Sequence, residues 1–284
     1  VTCVQFTGRS ATASKIACSV APRLASFQAE CGGSNAALLL PDADIDAALP
    51  HLTMGLCLIN GQWCMGISRI LVHEAVKELF LQKLLAHLNF NVTLCASHSE
   101  QSNFGESNST SPHKQTRPRE EFGENDIIHP ERDGHYLVGP VAFEQHAATI
   151  RSLIEQFGGT PIPIGGCNSD AGEQRSPCFV APTIVVDGDP NLTAKQEVFG
   201  PVATLHTYST IPEAVSMVNA ADGQLCSYLF ANPNGSVASD PFGGGDQYSI
   251  DQIRFSLHSG MVMVNCVGFG FGPGDEDEKE HHHA

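Results

Sequence analysis

A cysteine on a turn built from small and amide residues is open to a substrate, and Asn60-Gly61-Gln62-Trp63-Cys64 offers such a turn between a helical stretch and a strand. The reactive form of the side chain is the thiolate, which nearby backbone N–H groups favour. Glu30 ends a strand and is followed by Gly32-Gly33, so its carboxylate can pivot, lose part of its hydration and take a proton through water. Glu197 and Phe199, in Gln196-Glu197-Val198-Phe199-Gly200-Pro201-Val202, suit sugar hydroxyls and a flat ring respectively. Phe6-Thr7-Gly8 runs into a helix start, where backbone N–H groups of Thr7 and Gly8 can face a pyrophosphate. Each residue also has a plainer reading: a buried thiol, a solvated loop glutamate, a turn glutamate, a core phenylalanine. Gly243-Gly244-Gly245 reads as a flexible loop.

The elements that must hold these residues alternate between strand and helix patterns. Residues 1–7 read as a strand and 10–21 as an Ala-rich helix, capped by Ser10 or Thr12 and stopped by Pro22. A strand follows near 25–30. The run Ala36-Ala37-Leu38-Leu39-Leu40 predicts a strand buried on both faces. A helix is expected over 44–58 and a strand over 69–73. Helix 74–88 places Val76, Leu79, Phe80, Leu84 and Leu88 on one face. Helix 143–157 does the same with Phe143, Ala147, Ile150, Ile154 and Phe157, then ends at Gly158-Gly159. Strands near 178–186, 202–207, 225–231 and 261–265, with a helix near 211–220, complete an α/β pattern.

The chain has 284 residues and a formal net charge of -16, a field that repels a phosphate backbone and argues against nucleic-acid binding. No apolar run is long enough to span a bilayer, and the first residues lack the features of a signal peptide. The ten cysteines show no CxxC pairing; free thiols in a reducing, cytoplasmic setting are expected. Residues 97–135 are polar and aperiodic and read as a disordered surface insertion. Its His98, His113, His129 and His135 have spacings too irregular for a metal site, so no metal is expected. Residues 266–284 form an acidic, His-rich tail. Opening on Val1 and on a strand suggests an excerpt of a longer chain.

Taken in order, Phe-Thr-Gly, Glu-x-Gly-Gly, Asn-Gly-Gln-x-Cys and Glu-x-Phe-Gly-Pro-Val resemble the aldehyde dehydrogenase superfamily. The 34-residue interval from Glu30 to Cys64 agrees with that family. So do Pro41-Asp42-Ala43-Asp44, Ser68-Arg69, Gly139-Pro140, Ala181-Pro182-Thr183 and Gly260 through Asn265. The resemblance implies a catalytic domain with a mostly parallel sheet flanked by helices, over 31–265. Residues 1–30 would be the last strand–helix–strand of a Rossmann-like cofactor domain. It further implies NAD(P)-dependent oxidation of an aldehyde to a carboxylic acid, with Cys64 as nucleophile and oxyanion donor and Glu30 as base for hydrolysis. Asn265 would lie near the active site. Thr7 and Gly8 would lie by the pyrophosphate, Glu197 would hold the nicotinamide ribose, and Phe199 would pack beside it. NAD or NADP is the implied cofactor, an aldehyde the substrate, and a homo-oligomer or a partner chain supplying the cofactor domain the implied assembly. Arg9, Cys31 and Ser34 depart from the family pattern, as does the segment after Asn265. The sequence does not include the family's region ahead of Phe6, and with these departures that keeps an alternative open: an inactive relative kept as an interaction or structural subunit.

Overall fold

The computed structural model of the chain describes residues 1–94, 136–165, 176–232, 237–239 and 247–268. The four insertion histidines and the Gly243–Gly245 run lie outside the described residues, as does most of the tail.

Seven strands form the main sheet, in the order β13 (Met261–Val264), β10 (Cys226–Phe230), β3 (Ala36–Leu39), β4 (Arg69–His73), β9 (Val202–Tyr208), β8 (Thr183–Val186) and β7 (Thr160–Pro163). Every neighbouring pair is parallel except β7 with β8. Strand β7 was not evident from the sequence, because Pro161 and Pro163 argue against a strand; an edge position tolerates them. The expected strand over 178–186 is shorter, and only 183–186 pairs.

Strand β3 explains how the sheet is covered. Ala36 and Leu38 pack into the core on one face, Ala37 and Leu39 into the core on the other. Helices therefore lie on both faces. On one side run α2 (Ile45–Cys57) and α3 (Lys77–Asn91); on the other, α6 (Ile211–Asn219) and α7 (Ile250–Ser256). Asp44 caps α2 by accepting the Ala47 N–H at 3.1 Å, which fixes where the chain turns back after β3. In α3, Phe80, Leu84 and Leu88 are buried as expected, but Leu79 is 50% exposed and belongs to the outer face. Helix α4 (Glu144–Phe157) buries Ala147, Ile150 and Phe157. Phe143 takes the cap position before it and points to solvent, 72% exposed. Helix α5 (Pro190–Lys195), capped by Asp189, sits between β8 and β9.

Residues 1–30 stand apart from this sheet. Strands β1 (Cys3–Thr7) and β2 (Ser26–Glu30) pair only with each other, in parallel, through helix α1 (Ser10–Val20). Both strands are largely exposed. Helix α1 starts one residue before the expected capping residues could act: Arg9 holds the cap position and no side chain caps the helix, while Ser10 and Thr12 fall inside the first turn. Strands β5 (Val92–Leu94) and β6 (Tyr136–Val138) pair in parallel, and β11 (Val237–Ser239) pairs antiparallel with β12 (Gln247–Ser249).

Candidate active site

The segments expected to carry chemistry collect at the amino edge of the large sheet. Gly33, Ser34 and Asn35 lead into β3, Cys64 to Ser68 into β4, and Glu197 to Pro201 into β9. In open α/β sheets ligands generally sit at the opposite, carboxyl edge; here the loops before the strands carry the candidate groups.

The Cys64 turn is prepared by the end of α2. Ile59, Asn60 and Gly61 all adopt left-handed backbone, with φ of 51°, 57° and 68°. Such a conformation costs a β-branched residue most, so Ile59 marks a strained entry to the turn. The strain is held from two sides. The Asn60 amide accepts from the Gly139 N–H at 2.8 Å and donates to the Pro140 carbonyl at 3.0 Å, while the Gln62 side chain accepts from the Ala142 N–H at 3.2 Å. Opposite, Gly61 packs so close to Gly200 that an added Cβ would lie 2.3 Å from the Gly200 carbonyl.

Cys64 itself is half-buried and its thiol is free. It occupies a tight turn closed by the Gly66 N–H donating to the Trp63 carbonyl at 3.0 Å. The carbonyls that follow are bound inward. Asn35 donates to those of Cys64, at 2.8 Å, and Gly66, at 2.9 Å, and the Tyr228 hydroxyl donates to that of Met65. The indole N–H of Trp63 donates to the Gly55 carbonyl of α2 at 3.3 Å.

Glu197 and Phe199 line a narrow cleft with Gly33, Gly61, Trp63 and Gly200. Burial raises the Glu197 pKa from its ordinary value; the Gly33 N–H, which donates to it, and the nearby Arg9 charge work in the other direction. The carboxylate touches the turn after Glu30, since a Cβ on Gly32 would fall 2.1 Å from a Glu197 oxygen. Phe199 also has positive φ, 52°, and its carbonyl is bound to His146 Nε2 at 2.8 Å.

Thr7 and Glu30 are partners across β1 and β2, so the structure brings them together with Gly8. The Gly8 N–H donates to the Glu30 carbonyl at 3.0 Å and is therefore engaged within the protein. The Glu30 carboxylate is exposed and accepts from Gln28 on its own strand at 3.3 Å; among the described residues no hydrogen bond joins it to Cys64. Asn265 stands beyond the carboxyl end of β13, about 15 Å of strand rise from the amino edge. Its side-chain oxygen accepts from the Ala231 N–H at 2.8 Å and braces the ends of β10 and β13.

Two residues that hold this edge, Asn35 and Tyr228, were not singled out from the sequence, and Arg69 stood there only in the Ser68-Arg69 string, without a role. Arg69 is 2% exposed and donates to the Ser34, Met217 and Val218 carbonyls and to Gln224. Burial lowers its pKa to about 10. It thus ties the Gly33–Ser34 turn to the carbonyl end of α6. The Ser34 hydroxyl adds a bond to the Thr193 carbonyl at 2.8 Å. The turn after Glu30 is fixed rather than free to pivot. A polar residue opening the apolar run at 35–40 was the one available signal for Asn35.

A two-faced α/β sheet thus carries a clamped, cysteine-bearing turn beside a cleft of glycines, a carboxylate and an aromatic ring. A profile of the Aldehyde dehydrogenase family matches residues 1–116 and 121–267, and the chain belongs to that family. It is 25% identical over 266 residues to aminoaldehyde dehydrogenase 1, peroxisomal, of Pisum sativum, covering 93% of this chain and 43% of that protein. It is 27% identical over 266 residues to the chloroplastic betaine aldehyde dehydrogenase of Beta vulgaris, with the same coverages. Among solved structures, the NAD-dependent aldehyde dehydrogenase of Sinorhizobium meliloti superposes with a TM-score of 0.69 at 22% identity, covering 95% of this chain and 44% of that one. A Staphylococcus aureus betaine aldehyde dehydrogenase variant in complex with NAD+ gives 0.69 at 23%, covering 95% and 45%. The chain spans less than half the length of these relatives. Among the described residues, no helix is long and apolar enough to cross a membrane.

Proposed function

We propose that this chain carries the thiol chemistry of an NAD(P)-dependent oxidation of aldehydes to carboxylic acids. The observation that carries the reading is the Cys64 turn: strained at entry, clamped on both sides, and set beside the Glu197–Phe199 cleft. Cys64, as thiolate, attacks the aldehyde carbonyl carbon to give a thiohemiacetal, with its own backbone N–H near the developing oxyanion. A bound NAD or NADP supplies the acceptor for the hydride whose departure leaves a thioester on Cys64. Water then releases the acid and the thiol, with Glu30 taking the water proton.

The chain's residues fit such a cofactor at one end. The Glu197 carboxylate suits a pair of ribose hydroxyls, the partly exposed Phe199 ring suits a flat heterocycle, and Gly33, Gly61 and Gly200 line the same narrow cleft. Thr7 and Gly8 contribute less, since the Gly8 N–H is already bound. We place the boundary between the cofactor-side segment and the catalytic domain at the turn after Glu30, where the chain leaves the β1–β2 pair for the large sheet. A homo-oligomer or a partner chain completing the cofactor domain, and a reducing compartment such as the cytoplasm, belong to the same proposal. All eight cysteines among the described residues are free thiols.

An activated ester tests the nucleophile without a hydride acceptor. The protein should release p-nitrophenolate from p-nitrophenyl acetate with a burst of one equivalent, and Cys64→Ala should lose it; equal rates would remove Cys64 from the mechanism. Titrating NAD or NADP against Trp63 fluorescence tests the cleft. A second reading, an inactive subunit, draws on the exposed Glu30 carboxylate and its bond to Gln28. Burst without turnover would favour it.

A further inference from the structure

Building on the reading of Cys64 as nucleophile, we propose that Asn35 is its positioning residue, setting the direction of the thiol and of the peptide planes around it through one buried amide.

Asn35 is 1% exposed and sits at the amino end of β3, the strand between β4 and β10. Its side chain is used fully in one direction and braced in the other. Nδ2 donates to the carbonyls of Cys64, at 2.8 Å, and Gly66, at 2.9 Å. Oδ1 accepts the Cys226 N–H at 3.0 Å, which fixes the amide plane against β10. Its own carbonyl accepts from the Ser68 and Arg69 N–H groups, at 3.0 and 3.1 Å, where the nucleophile segment enters β4. One residue therefore joins β3, β4, β10 and the Cys64 turn.

The consequence lies in peptide planarity. In a trans peptide the C=O and the following N–H point in opposite directions. Drawing the Cys64 carbonyl inward to Asn35 turns the Met65 N–H away from the core. Binding the Trp63 carbonyl to the Gly66 N–H does the same for the Cys64 N–H. Tyr228, on the Met65 carbonyl, is the second inward anchor. Among the described residues neither the Cys64 nor the Met65 N–H has an acceptor, so both remain available to an oxyanion forming at the thiol. The reaction needs the thiol and these donors aligned together, and Asn35 is the group that correlates them.

The test compares Asn35→Ser and Asn35→Asp with the wild-type protein and with Leu88→Ala, a core variant remote from the turn. Asp keeps the acceptor for Cys226 but has no proton for the Cys64 and Gly66 carbonyls; Ser is neutral and shorter, and serves if the Asp variant does not fold. With p-nitrophenyl acetate, kcat should fall about tenfold or more in the Asn35 variants while KM moves little, because orientation rather than binding is lost. Amide exchange at Gly66 and Ile67 should accelerate in the same variants and not in Leu88→Ala. Wild-type kcat in a folded Asn35 variant would overturn the proposal, whether or not exchange changes. If the wild-type protein shows no Cys64-dependent ester turnover, the nucleophile reading fails by itself; unchanged exchange at Gly66 and Ile67 would then overturn the role of Asn35 as well, and selective acceleration would uphold it.

Discussion

The carbonyls of Cys64, Met65 and Gly66 are each taken by a side chain reaching from the core, whereas the Glu30 carboxylate meets only Gln28 on an exposed strand. Both residues sit at the ends of parallel strand arrangements, yet one is held by the seven-stranded sheet and the other by a two-stranded ribbon. A nucleophile must meet a carbonyl carbon at a set angle, so rigidity serves it. A base acting through water needs only reach and a proton affinity. On the proposed roles of Cys64 as nucleophile and Glu30 as base, stability and reactivity should be coupled near Cys64 and uncoupled near Glu30.

The coupling should break most severely at Arg69. Replacing it by Met leaves the Ser34 carbonyl without a donor in the interior and takes a charged donor from the Met217 and Val218 carbonyls, which keep the Ala220 N–H and the Gln224 amide, each loss costing roughly 1–3 kcal/mol. Urea unfolding should show a loss of about 4 kcal/mol or more, or no folded protein. A loss below about 1 kcal/mol would mean that the amino edge does not depend on this guanidinium.

Gly61→Ala sharpens the same side of the comparison. Its φ of 68° disfavours a side chain, and the added Cβ would meet backbone of Gly200 and Pro201, which cannot swing aside as a side chain can. We expect a loss of about 3 kcal/mol, with ester turnover falling in parallel. Retained activity in a destabilised protein would separate the clamp from the chemistry.

A pH series tests the ground beneath α5, which holds Ser34. His206 is 5% exposed, and its Nε2 is bonded to the Thr193 and Thr204 hydroxyls at 3.0 and 2.9 Å. Burial chiefly, with Arg69 nearby, lowers its pKa from 6.5 to about 4, while Asp187 and Asp189 oppose the shift. The unfolded chain binds the proton first as pH falls. The stability from the neutral, buried ring is therefore complete above pH 6.5 and is lost on acidification toward about 4, by up to about 3 kcal/mol. His206→Gln should flatten that part of the profile.

How much of this was legible in the sequence follows from the range of the interactions. Strand β3 and helices α2, α3 and α4 show in local periodicity, since burial on one or two faces writes itself into neighbouring residues. Strand β7 does not, because its two prolines are acceptable only at a sheet edge, a position no local pattern reveals. The Cys64 and Glu197 motifs were readable as short strings, and the structure gathers them at one edge. Asn35 was not, because its importance comes from partners 29, 31 and 191 residues away. Arg69 is legible only within the Ser68-Arg69 string; its anchoring role is not, because its bonds to α6 span 148 and 149 residues.

The smallest expected change in stability belongs to Glu30→Gln, and it tests the comparison from the ribbon side. Glutamine keeps the size and an acceptor for Gln28, and the site is exposed, so unfolding stability should stay within about 0.5 kcal/mol. Chemistry should respond differently. If Glu30 takes the proton of the hydrolytic water, the burst from Cys64 acylation keeps its amplitude while steady turnover of p-nitrophenyl acetate drops about 100-fold. Turnover equal to wild type would detach Glu30 from hydrolysis. The half-buried Glu197, whose pKa burial raises, would then be the group to vary next.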